Sequence, residues 1–303
     1  DSVLHPTTSV AALCDAYLAF KKNITGKKAI KKATVDEIRG AHKKIKTYFE
    51  GWSCRQLTTL AISQFLDDIY DPEDNEGKAR ERDKTLKVFK ATIEYGLQKG
   101  ELETNPASPC LHIGKEPQVQ RHTPEGWKQI RNAAEPWMKK AMDLCIITTQ
   151  RRGDICSMEK DNIKDGILYV VQKKTQKYNH AYLAIKITPE LREVLDRPIG
   201  QGRVNIISPF IIHRKPIKGL TQKEASGQHF SQIDKDYLTK EFKRLRDDVV
   251  GAYSDIPLVQ RPGFHQGRAL AIHLHKKQGC APQELAGHAS EKMTDNYDAR
   301  HED

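Results

Sequence analysis

Apolar residues recur along the first third of the chain at helical spacing, and polar residues fill the positions between them. Val10, Leu13, Tyr17, Leu18 and Phe20 form one such series, with Thr7, Thr8 or Ser9 placed to cap its start. A second helix is predicted over 34–49. A third, over 60–70, carries Ile62, Phe65, Leu66 and Ile69 at core spacing. The Pro- and Gly-containing run DPEDNEG closes it. A fourth helix, over 78–99, carries the stripe Leu86, Phe89, Ile93 and Leu97. Nothing before Leu111 alternates as a half-buried strand would.

The pattern then breaks. From Glu103 to Arg121 the chain carries Pro106, Pro109 and Pro117 and has no period, which is linker composition. The expected organisation is a helical domain over 1–111, a linker over 112–121 and a second domain over 122–303. Thr123-Pro124-Glu125 starts a helix as a cap, a first-turn proline and a first-turn acid. An apolar helix over 137–148 (Met138, Ala141, Leu144, Ile146, Ile147) reads as buried. Asp165-Gly166 is a turn, GILYVVQ a strand, KKTQKYN a second turn and HAYLAIK the returning strand. Thr188-Pro189-Glu190 repeats the capping pattern, FIIH is strand-like, and Leu238, Phe242, Leu245 and Val249 mark a helix over 233–249. The fold class is therefore mainly α with a small antiparallel β-sheet, in two domains: one all-helical, one mixed α+β.

Composition sharpens this picture in three ways. The chain has 303 residues, 38% of them hydrophobic, and no apolar run nears the roughly 18 residues of a membrane helix. The opening DSVLHPTTSV lacks the basic and apolar regions of a signal peptide. Six scattered cysteines without a CxxC pair argue against a metal site or a disulfide framework and for reduced thiols in the cytoplasm; Cys156 and Cys280 read as buried small hydrophobes. The net charge of +10 favours a polyanionic partner, with nucleic acid the commonest. Candidate phosphate contacts are Lys21, Lys22, Lys27, Lys28, Lys31, Lys32, Lys43 and Lys44, then Arg80, Arg82, Lys84, Lys87 and Lys90. Any one of them alone is a solvated face; their density is the signal.

The candidate chemistry lies in the stretch from Phe264 to Tyr297. His265, Arg268, His288 and Tyr297 gather two imidazoles, a guanidinium and a phenol. A guanidinium clamps phosphate oxygens, an imidazole moves protons and a phenol can act as nucleophile. Singly, each has a plain structural explanation: a packing tyrosine, satisfied histidines. Jointly, with TTQRRGD, the hairpin lysines, HQGR and LAGH in this order, and nine residues from His288 to Tyr297, the chain resembles the tyrosine recombinases, and among them the phage integrases of the lambda type. The likeness covers 122–303 and extends more loosely to the helical segment, which resembles the family's core-binding domain.

The resemblance assigns roles. Arg151, with Asp154 three positions on, matches the family's first arginine, and the register with Gly153 and Asp154 favours it over Arg152. The hairpin lysine falls on Lys174, or on Lys173 if the turn shifts by one residue. HxxR supplies His265 and Arg268, Gly-His supplies His288, and Tyr297 is the nucleophile. The implied reaction is phenolate attack on a DNA phosphodiester, giving a 3′-phosphotyrosyl bond and a free 5′-hydroxyl without ATP, metal or other cofactor. The two arginines balance transition-state charge, His265 assists the phenol, Lys174 protonates the leaving oxygen, and His288 adds a hydrogen bond to the phosphate. Asp154 orients the arginine or buttresses the fold. Two such rounds through a Holliday junction imply a homotetramer on two DNA duplexes at attachment sites, with DNA-bending accessory proteins as further partners and no membrane. The setting is the bacterial cytoplasm and nucleoid, in the integration and excision of phage or mobile-element DNA. Alternatives are a chromosome-dimer resolvase, a type IB topoisomerase-like enzyme or a non-catalytic DNA-binding module.

Three departures from the family stand out. Gly267 replaces a larger residue and is expected to loosen its helix by about 1 kcal/mol. Thr149 stands where Gly is common, with little consequence expected. The early end after Tyr297, and a start without the small arm-binding domain, suggest a chain trimmed at both ends.

Overall fold

The computed structural model describes residues 8–26, 29–69, 76–113, 119–199, 207–214, 229–299 and 301. The chain divides into two compact units, Asp1–Pro117 and Gln118–Asp303. Lys27, Lys28, most of the DPEDNEG run and most of 200–227 lie outside the described residues.

In the first unit the apolar stripes fold as helices α1 (Val10–Asn23), α2 (Lys32–Tyr48), α3 (Thr59–Ile69) and α4 (Glu76–Gln98). Ser9 caps α1 by accepting from the backbone N–H of Ala12. The stripes meet in one core of Leu13, Ile45, Phe49, Ile62, Phe65, Leu66, Leu86, Phe89 and Ile93. Phe65 packs edge-on against both Phe49 and Phe89, with centroids 5.3 and 6.0 Å away. Two residues offered as DNA contacts are occupied otherwise. Arg82 is buried, donates to the Leu111 carbonyl and lies near Asp67 and Asp83. Lys90 donates to the carbonyls of Ser108 and Cys110. Both fasten α4 to the chain that leaves the unit.

The second unit opens with α5 (Pro124–Ala133), capped by Thr123, and α6 (Pro136–Thr148). Burial of Trp137, Met138, Ala141, Met142, Leu144 and Cys145 puts α6 at the centre of the core. After the short α7 (Arg152–Ile155) come β1 (Ile163–Lys164), β2 (Ile167–Val171) and β3 (Tyr182–Lys186), antiparallel in that order. The hairpin pairs Tyr169 with Ala184 and Val171 with Tyr182. Leu168, Val170 and Ile185 face the core, whereas Tyr169, Val171 and Tyr182 stay exposed. The two-residue β1 is too short to carry an alternating pattern, so sequence periodicity passes over it.

Helix α8 (Pro189–Asp196) is capped by Thr188. At its other end the buried Lys140 donates to the carbonyls of Leu195 and Arg197; burial, then Lys160 and Arg197, push this ammonium down to about 8. FIIH is no strand: Phe210 and His213 form single bridges to Glu159 and Gln232. The helix expected over 233–249 is α9 (Lys235–Arg244), continuing as a π turn (Leu245–Val250). The HQGR box lies in a tight turn, Phe264–Gln266, that runs into α10 (Gly267–Lys277). Two short helices follow, α11 (Pro282–Ala286) and α12 (Glu291–Asp298).

Three expectations need correcting. A Cβ on Gly267 would lie 2.3 Å from the ring of the buried Trp127, so glycine is required there by packing and does not merely loosen the helix. Thr149 sits at φ 55°, in the left-handed region disfavoured for a β-branched residue, so its replacement of glycine does carry a cost. Cys280 is exposed, unlike the buried Cys156.

Candidate active site

Each proposed site residue stands at an element end. Arg151 is the residue before α7, where the chain leaves the left-handed Thr149 and the buried Gln150. Its neighbour Arg152 turns away: it donates to Thr239 Oγ1 and lies 3.4 Å from Asp236, fastened to α9. Arg151 instead donates from Nη1 to the buried Gln172 Oε1 at 2.7 Å. Lys173 and Lys174 start the turn after β2. Asp154 Oδ1 accepts from the Lys173 backbone N–H at 3.0 Å, so this acid holds the lysine turn against α7 rather than pairing with an arginine. Burial raises its carboxyl above the usual range, opposed by that hydrogen bond and by Arg151.

The approach to the HQGR box is fixed by charge. Buried Arg246 pairs with Asp247 at 2.6 Å and donates to the carbonyls of Arg261 and Pro262. Gly263 N–H then donates to Gln266 Oε1, closing the turn that carries His265. From this turn Arg268 enters the core fully buried. Its Nη1 donates to the Thr149 carbonyl at 2.8 Å, and its Nη2 donates to the Ala286 carbonyl at 2.6 Å and to His288 Nε2 at 2.7 Å. Burial, then the charge of Arg151, push this guanidinium down to about 10, still protonated at neutral pH. Its Nε is buried without a partner among the described residues.

Because Arg268 can only donate, His288 Nε2 is the acceptor and Nδ1 carries the proton, donated to Thr294 Oγ1 at 2.9 Å. Both ring nitrogens are thus occupied within the protein. The expected hydrogen bond from His288 to a phosphate is not what this geometry presents; His288 holds Arg268 instead. Tyr297 completes the cluster. Its ring stacks on His288 with centroids 5.1 Å apart, lies 5.4 Å from the Arg268 guanidinium carbon, and meets His265 edge-on at 6.2 Å.

His265 stands at the mouth, its residue surface exposed to solvent while its ring is crowded by protein atoms. Desolvation first, then the positive charges of Arg268, Arg151, Lys174 and Arg152, push its imidazole down to about 4. Desolvation, Arg268, Arg151 and His180 do the same for His288. Both rings are neutral at pH 7. The fold thus packs His265, Arg268 and His288 about the Tyr297 ring, with Arg151 and Lys174 within electrostatic reach of His265, whereas the lysines of α1 and α2 and the basic residues of α4 belong to the other compact unit.

Sequence reasoning passed over the residues that hold Tyr297 in place. His273 Nδ1 lies 3.0 Å from Asp298, and Lys276 Nζ lies 2.9 Å from Asp295 and 3.2 Å from Asp298. Arg121 donates to the carbonyls of Asn296 and Ala299. A basic pair three apart on α10 facing an acidic pair three apart on α12 is a readable signal, once those helices are known to be neighbours.

The family model for the phage integrase family matches residues 120–303. The integrase of Enterobacteria phage P21 is 28% identical over 250 residues, covering 80% of this chain, which in turn spans only 62% of the P21 protein's length. The integrase of Escherichia phage lambda is 27% identical over 286 residues, covering 91% of this chain and 73% of its own. Two crystal structures share the fold. A lambda integrase tetramer bound to a Holliday junction superposes with a TM-score of 0.76 at 23% identity, over 98% of this chain and 79% of that one. A lambda integrase fragment, residues 75–356, as a dimer bound to a core site gives 0.77 at 24%, over 96% and 97%.

Proposed function

The chain belongs to the phage integrase family, and on that premise we propose that it is a site-specific DNA recombinase that cuts and rejoins strands through a 3′-phosphotyrosine. The observation that carries this reading is the packing of Tyr297 against His288, Arg268 and His265, with Arg151 and Lys174 within electrostatic reach of His265. Tyr297 Oη attacks the phosphorus and its proton passes to the neutral His265. The 5′-oxygen leaves and takes a proton from Lys174, so no charge is stranded. Arg151 and Arg268 balance the phosphoryl charge, the latter through the Nε–H that has no partner among the described residues. A buried N–H without a partner costs roughly 1–3 kcal/mol, and an anionic oxygen of the scissile phosphate would relieve that cost.

In this reading the unit Gln118–Asp303 performs the chemistry, and the helical unit supplies a core-type DNA clamp. The exposed Lys22, Lys31, Lys32, Lys43, Arg80, Lys84 and Lys87 support the clamp. Lys21 is partly committed to the Tyr17 and Phe20 rings, at 5.3 and 5.8 Å, and Lys44 to Glu81. The partners are double-stranded attachment sites and three further copies of the chain, as in the lambda tetramer on a Holliday junction. Neither metal nor nucleotide enters the scheme, and the setting is the cytoplasm of a bacterial host. Among the described residues no helix is long and apolar enough to cross a membrane.

The test is a nicked suicide duplex incubated with the protein and resolved on a denaturing gel. A covalent protein–DNA band is expected, abolished by Tyr297→Phe while DNA binding persists. Binding without any covalent band in the unmutated chain would leave a non-catalytic DNA-binding module as the function.

A further inference from the structure

Two buried glutamines lie behind the catalytic cluster, and the reaction scheme gives neither of them a task. Gln150 and Gln172 are both fully buried. Gln172 directly follows the strand β2, between it and the lysine turn, and its backbone N–H donates to the Ala181 carbonyl across the hairpin. Its Oε1 accepts from Arg151 Nη1 at 2.7 Å and from Thr175 Oγ1 at 3.3 Å. Its Nε2 donates to Gln150 Oε1 and to the Ala286 carbonyl, both at 2.8 Å. Gln150 passes the direction on, its Nε2 donating to the carbonyls of Thr148 at 2.7 Å and Leu285 at 2.8 Å. Every polar atom of both amides is used, and the donor sense runs one way. A flipped amide at Gln172 would aim N–H groups at a guanidinium that has only N–H groups to offer.

The Ala286 carbonyl is the hinge of this arrangement. It accepts at once from Gln172 Nε2 and from Arg268 Nη2. One amide and one carbonyl therefore span the gap between the two guanidiniums, which repel each other: the charge of Arg151 is the second cause of the lowered proton affinity of Arg268. Gly287, at φ +60°, lets the backbone close over this bridge, since a Cβ there would stand 2.9 Å from both terminal atoms of Gln172. We propose that Gln172, backed by Gln150, is a positioning residue that sets Arg151 at a fixed separation from Arg268 while contributing no charge of its own. The proposal rests on the reading of Arg151 and Arg268 as the phosphate clamp.

The side-chain type follows from the task. Methionine fills a similar volume but offers no hydrogen bond, leaving Arg151 without its amide tether and the Ala286 carbonyl with one donor fewer. Glutamate keeps the acceptor for Arg151 but neutralises its charge and turns an anion towards the Ala286 carbonyl and Gln150 Oε1.

Single-turnover formation of the covalent complex tests this on two suicide duplexes, one with a natural scissile phosphodiester and one with a methylphosphonate there. The neutral phosphorus of the second needs one guanidinium fewer. Gln172→Met is expected to slow the phosphodiester reaction about tenfold or more, the size of coupling between touching residues, with DNA affinity unchanged, and to recover most of that loss on the methylphosphonate. Arg151→Ala should show the same recovery, and adding Gln172→Met to it should cost nothing further. Equal slowing on both substrates, or an undiminished rate on the phosphodiester, overturns the proposal. If Arg151→Ala itself gains nothing from the methylphosphonate, the phosphate-clamp reading fails instead. Should the Gln172→Met chain not fold, Gln172→Glu preserves shape and decides by the same comparison: slow on the phosphodiester and relieved on the methylphosphonate, or the proposal falls.

Discussion

The two units use polar residues in opposite ways. In the helical unit most basic side chains stand exposed on α1, α2 and α4, and their value lies in number and density. In the second unit the polar residues that matter are buried and mutually specified: Arg268, His288, Gln150, Gln172 and Asp154 each have partners that admit few replacements. A surface charge keeps its ionisation wherever it stands, so the first unit tolerates redistribution. A buried group is defined by what faces it, so the second does not.

Acid should separate the units most strongly. In the second, His122 is pushed down to about 3, and His265, His288 and His301 to about 4, by burial first and then by nearby positive charge. In the first, His42 alone among the described residues shows this, falling to about 4. A histidine held below its ordinary 6.5 binds fewer protons folded than unfolded, so stability is lost as pH falls from about 6.5 towards 4. Every tenfold loss of proton affinity on folding is worth about 1.4 kcal/mol. The buried His122 and His288 together should thus cost the second unit several kcal/mol by pH 4.5. Asp298 and Asp247, held below the usual carboxylate range by hydrogen bonds from His273, Lys276, Arg246 and Arg261, add their loss only below that window. Thermal melts from pH 7.5 to 4.5 should show the transition of the second unit falling furthest. Parallel decline of both units would break the contrast.

Packing gives the next effect. Gly267→Ala drives a methyl into Trp127, and overpacking of this kind costs about 1–3 kcal/mol. It should also weaken covalent-complex formation, because Arg268 follows directly. An unchanged melting temperature would mean that Trp127 can give way. Thr149→Gly runs in the other direction. It removes a β-branched residue from φ 55° and a buried hydroxyl that has no partner among the described residues, against the greater chain entropy of glycine when unfolded. A gain of about 0.5–1 kcal/mol is expected in thermal or urea unfolding, that being what remains of roughly 1–2 kcal/mol of left-handed strain. Destabilisation would show that the Thr149 methyl packs better than its backbone suggests.

How much of this was legible beforehand follows the range of the forces. Helix starts at Ser9, Thr123 and Thr188 are written locally, as a hydroxyl and its neighbours within one turn, and they stand where the pattern puts them. The hairpin was equally visible, because alternation and turn residues lie side by side. The side chains proposed as reactive are named one by one by residue type and order alone. Their partners are not: that His288 spends both nitrogens on Arg268 and Thr294 depends on how three successive short elements fold back on one another, and that Gln172 bridges Arg151 to the Ala286 carbonyl depends on segments 114 residues apart meeting in the core. Gly267 shows the same limit, as its requirement comes from Trp127, far away in sequence. Arg82 and Lys90 show the converse, charges that composition assigned to DNA and the fold spends on its own carbonyls.

The smallest effect, and the one that tests the first unit on its own terms, is the salt dependence of DNA binding. If Lys22, Lys32 and Lys43 act by displacing counterions, replacing all three by alanine should lower the slope of log K against log salt by about 0.9 for each phosphate no longer neutralised. Melting temperature should scarcely move, because each side chain is exposed. Replacing Lys90 is the internal control. Its ammonium is bonded to the Ser108 and Cys110 carbonyls, so Lys90→Ala should leave the slope alone and lower stability slightly. A slope unchanged by the triple substitution would make that surface merely solvated and move the counterion release to other residues. A slope lowered by Lys90→Ala would mean that its carbonyl bonds yield to phosphate when DNA is present.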